Sequence, residues 1–244
     1  MAWLMAGFYL QAFSLLPPFL RRRIHPLEYA IQAFAKAAAD LPIRGVVIDA
    51  GAGEARWAKH FAGHLYVAID SGVGDAEWDY SQIHVCADLE AIPMASNQAD
   101  VVLSTQVLEH VRDPARVLRE ANRVLRPGGK LYLTAPQGWP EHQQPHDYFR
   151  FTQYGLRGLL ASAGFHHVRV EPLGGYFYYL GHRLTYIPKV LFQPRRPLLR
   201  VLLFPLELLS LAFFCFLCPL LCYYLDPLDR EKTFTLGYRC SAVK

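Results

Sequence analysis

Charge is scarce in this chain. Only 19% of its 244 residues are Asp, Glu, Lys or Arg, against 52% hydrophobic, a balance more apolar than that of an ordinary soluble domain. Some apolar surface is therefore expected to meet something other than water. The basic excess is small, 25 residues against 21 acidic ones, too mild to imply nucleic acid. The positive charge gathers instead at Arg21-Arg22-Arg23 and at Arg195, Arg196 and Arg200, each cluster beside an apolar run. That pattern suits anionic lipid better than a nucleic-acid groove.

Other shortages exclude other classes. Three of the five cysteines, Cys215, Cys218 and Cys222, share one apolar run without a histidine or an acid, so they lack the donors of a zinc site and read as small packing residues. Nothing resembles a disulfide framework, and a reducing compartment is expected. The phosphate-loop Gly-Lys-Ser/Thr is absent, and the third small residue of a dinucleotide fingerprint is replaced by Arg56. There are no internal repeats.

What is there begins at Val46-Val47-Ile48-Asp49-Ala50-Gly51-Ala52-Gly53-Glu54. Three β-branched residues in a row read as a short strand buried on both faces. Gly51 and Gly53 allow a tight turn, and the apolar spacing of Ala55, Trp57, Ala58 and Phe61 predicts a helix opening at Glu54, its N–H groups aimed back at the turn. The next strand, His64–Ile69, ends at Asp70, about 20 residues after Asp49, the length of one βαβ step. An acid there is placed to accept from both hydroxyls of a ribose.

The D-x-G-x-G pattern at Asp49, Gly51 and Gly53 resembles motif I of the class I S-adenosyl-L-methionine (SAM)-dependent methyltransferases, of the type 11-like kind. The resemblance extends through Asp88-Leu89-Glu90-Ala91-Ile92-Pro93, Gln106-Val107-Leu108-Glu109-His110-Val111 and L-R-P-G-G-x-L-x-L-x-x-P at residues 125–136. It implies a Rossmann-like, seven-stranded, mostly parallel α/β sheet with an antiparallel last strand. It also implies SAM as cofactor, with Asp70 on the ribose, Asp88 and Leu89 on the adenine, and Gln106 and His110 lining the methionine portion.

Asp113-Pro114 predicts a helix start, followed by the apolar face Val117, Leu118, Ala121, Val124 and Leu125. The loop Gln137–Arg150 is where family members meet their substrate. It carries His142, His146 and Asp147, groups able to deprotonate an acceptor; His146 is the first candidate base and His142 the second. The alternative is a loop docked through Tyr148 and Phe149 with its polar groups in water. His142 and His146 lack a third ligand, and no metal is expected.

Two segments fall outside the resemblance. Residues 1–25 read as an apolar helix at a membrane interface, the basic triplet at the headgroups, or as a helix capping the sheet. Charge follows this apolar stretch rather than preceding it, unlike a secretory signal. After the core at 26–172, residues 173–230 form an apolar insert ahead of the final strand, Thr233–Val243, within residues 231–244. Roughly 60 residues separate strands six and seven, far more than a hairpin needs. Leu208–Leu225 is charge-free and long enough to be a spanning candidate. Because the flanking strands share one sheet, the insert must leave and return on one side, so a re-entrant or in-plane helical hairpin is expected. An apolar arm making a homodimer is the alternative.

The expected activity is methyl transfer to a lipid-linked or other apolar small-molecule acceptor, at the cytoplasmic face of a membrane and without nucleic acid. The alternatives are a non-catalytic SAM-fold scaffold of a membrane complex, and a soluble small-molecule methyltransferase paired through its apolar arms.

Overall fold

The computed structural model describes residues 13–39, 45–74, 77–192 and 197–244, with the side chains of 197, 198 and 200 excepted. Most of the N-terminal apolar stretch and Arg195 and Arg196 lie outside the described residues. The chain divides into two compact units. One comprises Ala30–Leu173 with Leu236–Lys244, the other Gly174–Thr235 with the residues up to Tyr29.

The first unit is built on a seven-stranded sheet: β1 (Val46–Ala50), β2 (Leu65–Asp70), β3 (Val85–Cys86), β4 (Ala99–Thr105), β5 (Leu125–Pro136), β6 (His166–Pro172) and β7 (Gly237–Val243). Their order is β3-β2-β1-β4-β5-β7-β6. β1 to β5 pair in parallel, and β7 runs antiparallel to both neighbours. This is the α/β sheet expected from the sequence. Val47 and Ile48 of β1 and the β-branched residues of β4 are buried because parallel strands are covered on both faces.

A helix over Pro114–Val124, here α2, follows α1 (Pro26–Ala39) in this part of the chain. Asp113 caps α2, its Oδ1 accepting from the Arg116 N–H at 3.0 Å. Val117, Leu118, Ala121 and Val124 are its buried face. Thr152 caps α3 (Gln153–Ser162) in the same way, accepting from the Gly155 N–H at 3.1 Å.

Two expectations are corrected. No α-helix opens at Glu54. Gly53 and Ala55 both hold positive φ, +53° and +51°, which breaks the helical ladder. Residues 52–61 instead turn through three-residue hydrogen bonds: Ala55 N–H to Ala52, Ala58 N–H to Ala55 and Phe61 N–H to Ala58. The apolar spacing was a record of burial, since Ala55, Trp57 and Phe61 are buried, and not of backbone conformation. The last strand is also shorter, starting at Gly237. There a Cβ would sit 2.6 Å from the Ala135 carbonyl oxygen, so glycine fixes where β7 closes onto β5.

In the second unit, α4 (Pro18–Ile24) joins the helices α5 (Tyr176–Leu184), α6 (Ile187–Leu191), α7 (Pro197–Leu211) and α8 (Cys218–Leu225). A π-helical turn, Ala212–Leu217, links the last two. Helix α5 runs antiparallel to α8. Asp226 accepts from the Gly175 and Tyr178 N–H groups at 3.0 and 2.9 Å, Tyr178 stacks on Tyr223, and Gly181 lies against Pro219 and Cys222. Val201–Leu228 is one apolar helical stretch of 28 residues with mean hydropathy 2.4, of which only 17% of the most apolar window is buried. Leu202, Leu209 and Leu228 are each about two-thirds exposed or more, at 68%, 67% and 70%.

Candidate functional site

Because β3, β2, β1 and β4 are parallel neighbours, their carboxyl ends lie on one edge of the sheet. That edge carries Asp49 next to last in β1, Asp70 at the end of β2, Asp88 just past β3 and Gln106 just past β4. The ligand edge of an open α/β sheet is this carboxyl edge.

The glycine turn is held from below. The Gly51 and Ala52 N–H groups both donate to the Ile69 carbonyl, at 2.8 and 3.1 Å, so the turn is tied to β2. Gly51 has φ +81°, and a Cβ there would lie 2.4 Å from Val107 Cγ2. Asp70 reaches across the turn. Its Oδ2 accepts from the Gly53 N–H and its Oδ1 from the Gly72 N–H, both at 2.8 Å. A carboxylate has about four lone-pair sites, so two remain for ribose hydroxyls. Asp70 is partly exposed, so those two acceptor positions can be reached from outside.

Asp49 is different. It is completely buried, accepts a short hydrogen bond from the Tyr66 hydroxyl, and leaves Oδ1 without a partner. Burial pushes its carboxyl up to about 7, opposed by the Tyr66 bond and by Arg56. Asp88 is exposed, and its Oδ1 accepts from the Glu90 N–H at 2.8 Å, opening the single turn Leu89–Ala91 in which Leu89 is buried. Gln106 takes a positive φ, +56°. Its backbone N–H and its side-chain amide both reach Thr134 Oγ1, at 3.2 and 3.1 Å, which fixes the chain as it leaves β4.

Sequence reasoning missed Trp78, whose ring lies 3.0 Å from the position of a Gly53 Cβ. It also missed Trp57, whose Nε1–H donates to Thr105 Oγ1 at 2.9 Å. An aromatic residue in the loop after Asp70 was the available signal for the first.

The loop after β5 is clamped by Arg150. Its guanidinium donates to both Asp147 oxygens, at 2.6 and 2.7 Å, and to the carbonyls of Trp139, Pro140 and Phe149. These charge-assisted bonds hold the Asp147 carboxyl down at about 2. Asp147 in turn accepts from the His142 N–H at 2.9 Å. The structure separates the two candidate bases. His142 Nε2 lies 3.1 Å from His110 Nε2, whereas the His146 ring turns to the Tyr148 hydroxyl, 3.1 Å from its Nδ1. The buried Glu109 sits beside the first pair, and burial pushes its carboxyl up to about 8.

Comparison with known proteins agrees with this fold. Residues 48–133 match the methyltransferase domain family. The chain carries a class I SAM-dependent methyltransferase domain. Over 122 residues the chain is 34% identical to the dimethylglycine N-methyltransferase of Parasynechococcus marenigrum, covering 45% of this chain and 44% of that protein. A 56-residue stretch is 43% identical to the ubiquinone biosynthesis O-methyltransferase of Pseudomonas aeruginosa, covering 23% of each. The chain thus spans less than half the length of these curated relatives. The methyltransferase fold extends further: a SAM-dependent methyltransferase of Archaeoglobus fulgidus superposes with a TM-score of 0.55 at 13% identity, over 89% of this chain and 94% of that one. SAM is the cofactor of the family, and the open lone pairs of Asp70 beside the glycine turn suit its ribose.

Proposed function

We propose that this chain transfers the methyl group of SAM to an apolar acceptor presented at the cytoplasmic face of a membrane. The observation that carries the membrane part is the stretch Val201–Leu228. At about 1.5 Å per residue it is longer than the roughly 30 Å hydrocarbon layer, and most of its apolar window faces outward. An exposed apolar surface of that size marks a contact with lipid or with another protein. Basic and aromatic groups flank it: Arg23 lies over the rings of Tyr223 and Tyr224, 5.8 and 5.6 Å from their centres, as suits the headgroup level on the positive-inside face. A hairpin lying in or dipping into one leaflet fits the antiparallel pairing of α5 with α8.

Bound SAM supplies an electrophilic methyl on a sulfonium. The chain's own residues position the cofactor and shield it from water. Asp70 holds the ribose, Asp88 and Leu89 face the adenine, and the Gln106 turn supports the methionine end. An acceptor that must lose a proton needs a base. His146 serves there, with its ring partly exposed and its Nδ1 held by Tyr148. The likeness to an enzyme named for ubiquinone biosynthesis favours an apolar acceptor class.

The test combines vesicle flotation with acceptor search. The chain should float with vesicles containing anionic lipid, and a lipid extract incubated with methyl-labelled SAM should yield a labelled product in the organic phase. A chain that stays in the soluble fraction as a stable dimer would replace the membrane reading by an apolar protein interface. Absence of SAM binding would replace the enzyme by a scaffold.

A further inference from the structure

We propose that Glu109, His110 and His142 form a binding site for a divalent transition-metal ion of the zinc type, with one coordination position left open. The proposal starts from the proton positions of two histidines. His110 Nδ1 lies 2.6 Å from the backbone oxygen of His146. A carbonyl oxygen only accepts, so Nδ1 carries the proton. His142 Nδ1 lies 3.2 Å from the Pro140 carbonyl and 3.3 Å from Asp147 Oδ2. Both are acceptors, so this Nδ1 is protonated too. A neutral imidazole has one N–H, and each Nε2 is left with a lone pair.

Those two lone pairs face each other at 3.1 Å. They repel unless a cation lies between them, either a proton or a metal ion. Glu109 decides in favour of the metal. It is completely buried, and neither of its oxygens has a hydrogen-bond partner. Oε1 lies 3.9 Å from His110 Nε2, and donor atoms of all three residues lie within 4.8 Å of one another. Tetrahedral ligands about 2.0–2.1 Å from zinc are themselves roughly 3.3 Å apart, so the histidine pair already has ligand spacing. The carboxylate has only a short distance to close.

The supporting shell is in place. Glu109 and His110 sit on one tight turn, Leu108–His110, straight after β4. His142 comes from the loop that Arg150 and Asp147 lock. Each ring donates its other N–H to an acceptor, the arrangement that orients metal-binding histidines. Two imidazoles and a carboxylate suit zinc, iron or a similar ion, and three protein ligands are the number found where a metal also takes a substrate or water. That open position would draw in the oxygen or nitrogen of the methyl acceptor and lower its pKa. This use rests on the methyl-transfer reading above; the site itself does not.

The full chain in detergent is freed of metal with a chelator and titrated with zinc by calorimetry, and with cobalt followed by its visible absorption. One equivalent should bind, with the absorption of a low-symmetry cobalt site. Glu109→Gln and His142→Ala should each weaken zinc binding about 100-fold or more, since losing even an outer-shell partner costs 10–100-fold. Cys86→Ser, and joint replacement of Cys215, Cys218 and Cys222 by serine, should leave it unchanged. Glu109→Gln removes an unpartnered buried carboxyl, so its melting temperature should not fall, and lost binding then reports on the site. No saturable binding would mean that the two histidines share a proton, and would overturn the proposal. So would binding that survives Glu109→Gln and His142→Ala, or that follows the cysteines. Zinc bound at one equivalent in a chain that transfers no methyl would uphold the site and sink the methyl-transfer reading instead.

Discussion

Asp147 and Arg150, three residues apart, are joined through both carboxylate oxygens and two guanidinium nitrogens, at 2.6 and 2.7 Å. The pair closes the loop after β5, because the same guanidinium binds three of the loop's carbonyls and the same carboxylate binds the His142 N–H. Asp147→Asn should therefore loosen the loop as well as remove a charge, destabilising the chain by about 1–3 kcal/mol. The pH sign follows from a folded-state carboxyl held near 2, below its ordinary value of 3.8. The stabilisation is present above about pH 4 and is lost as pH falls toward 2. Urea unfolding between those limits should show the wild-type chain losing stability and Asp147→Asn changing less.

Asp49 titrates with the opposite sign. Its folded-state carboxyl is raised from 3.8 to about 7, so the native chain holds the proton more tightly than the unfolded one. Stability is full below about pH 4, falls as pH rises, and levels above 7, a loss of about 4 kcal/mol at most. Asp49→Asn can still accept from Tyr66 and carries no titrating proton. It should be the more stable form at pH 8, with the gap gone at pH 4, as denaturant midpoints would record. A wild-type chain whose midpoint does not move between pH 4 and 8 would show that Asp49 ionises freely.

For the cofactor, Asp70→Ala should weaken SAM binding by about 1.5–3 kcal/mol, the worth of charge-assisted hydrogen bonds. Isothermal titration measures this directly. Unchanged affinity would remove the ribose assignment.

Gly51→Ala meets two obstacles, a φ of +81° and Val107 Cγ2 at 2.4 Å. The expected cost is about 2–4 kcal/mol, combining overpacking with backbone strain. Val107→Ala in the same chain should recover the steric part and leave the backbone part. A double-mutant cycle from thermal unfolding separates them.

On the exposed apolar face, Leu202→Asp together with Leu209→Asp should abolish vesicle flotation while SAM affinity is unchanged. Flotation that persists would place the lipid contact elsewhere.

The sheet was legible because its signals are local. The β-branched run at Val46–Ile48 and the Asp113-Pro114 start each state a backbone preference within a few residues. The helix at Glu54 failed for the same reason. Its apolar spacing is helical, but Ala55 takes a left-handed conformation that no propensity favours, in a turn whose Trp57 is anchored to Thr105, 48 residues away. The Asp70 position could be found from spacing along the chain. The Glu109–His110–His142 cluster could not, because it depends on how a loop is folded by Arg150; along the chain His142 neighbours His146, whose ring faces Tyr148, and the pair lacks a third ligand.

β7 lies between β5 and β6, yet it is made after the whole of Gly174–Thr235. During synthesis at about 5–20 residues per second, β6 therefore has no partner until the apolar helices have left the ribosome. Those helices emerge while the sheet is still open, and the final strand then slots in as a closing rung. Completion of the sheet is in this way timed by synthesis of the apolar helices.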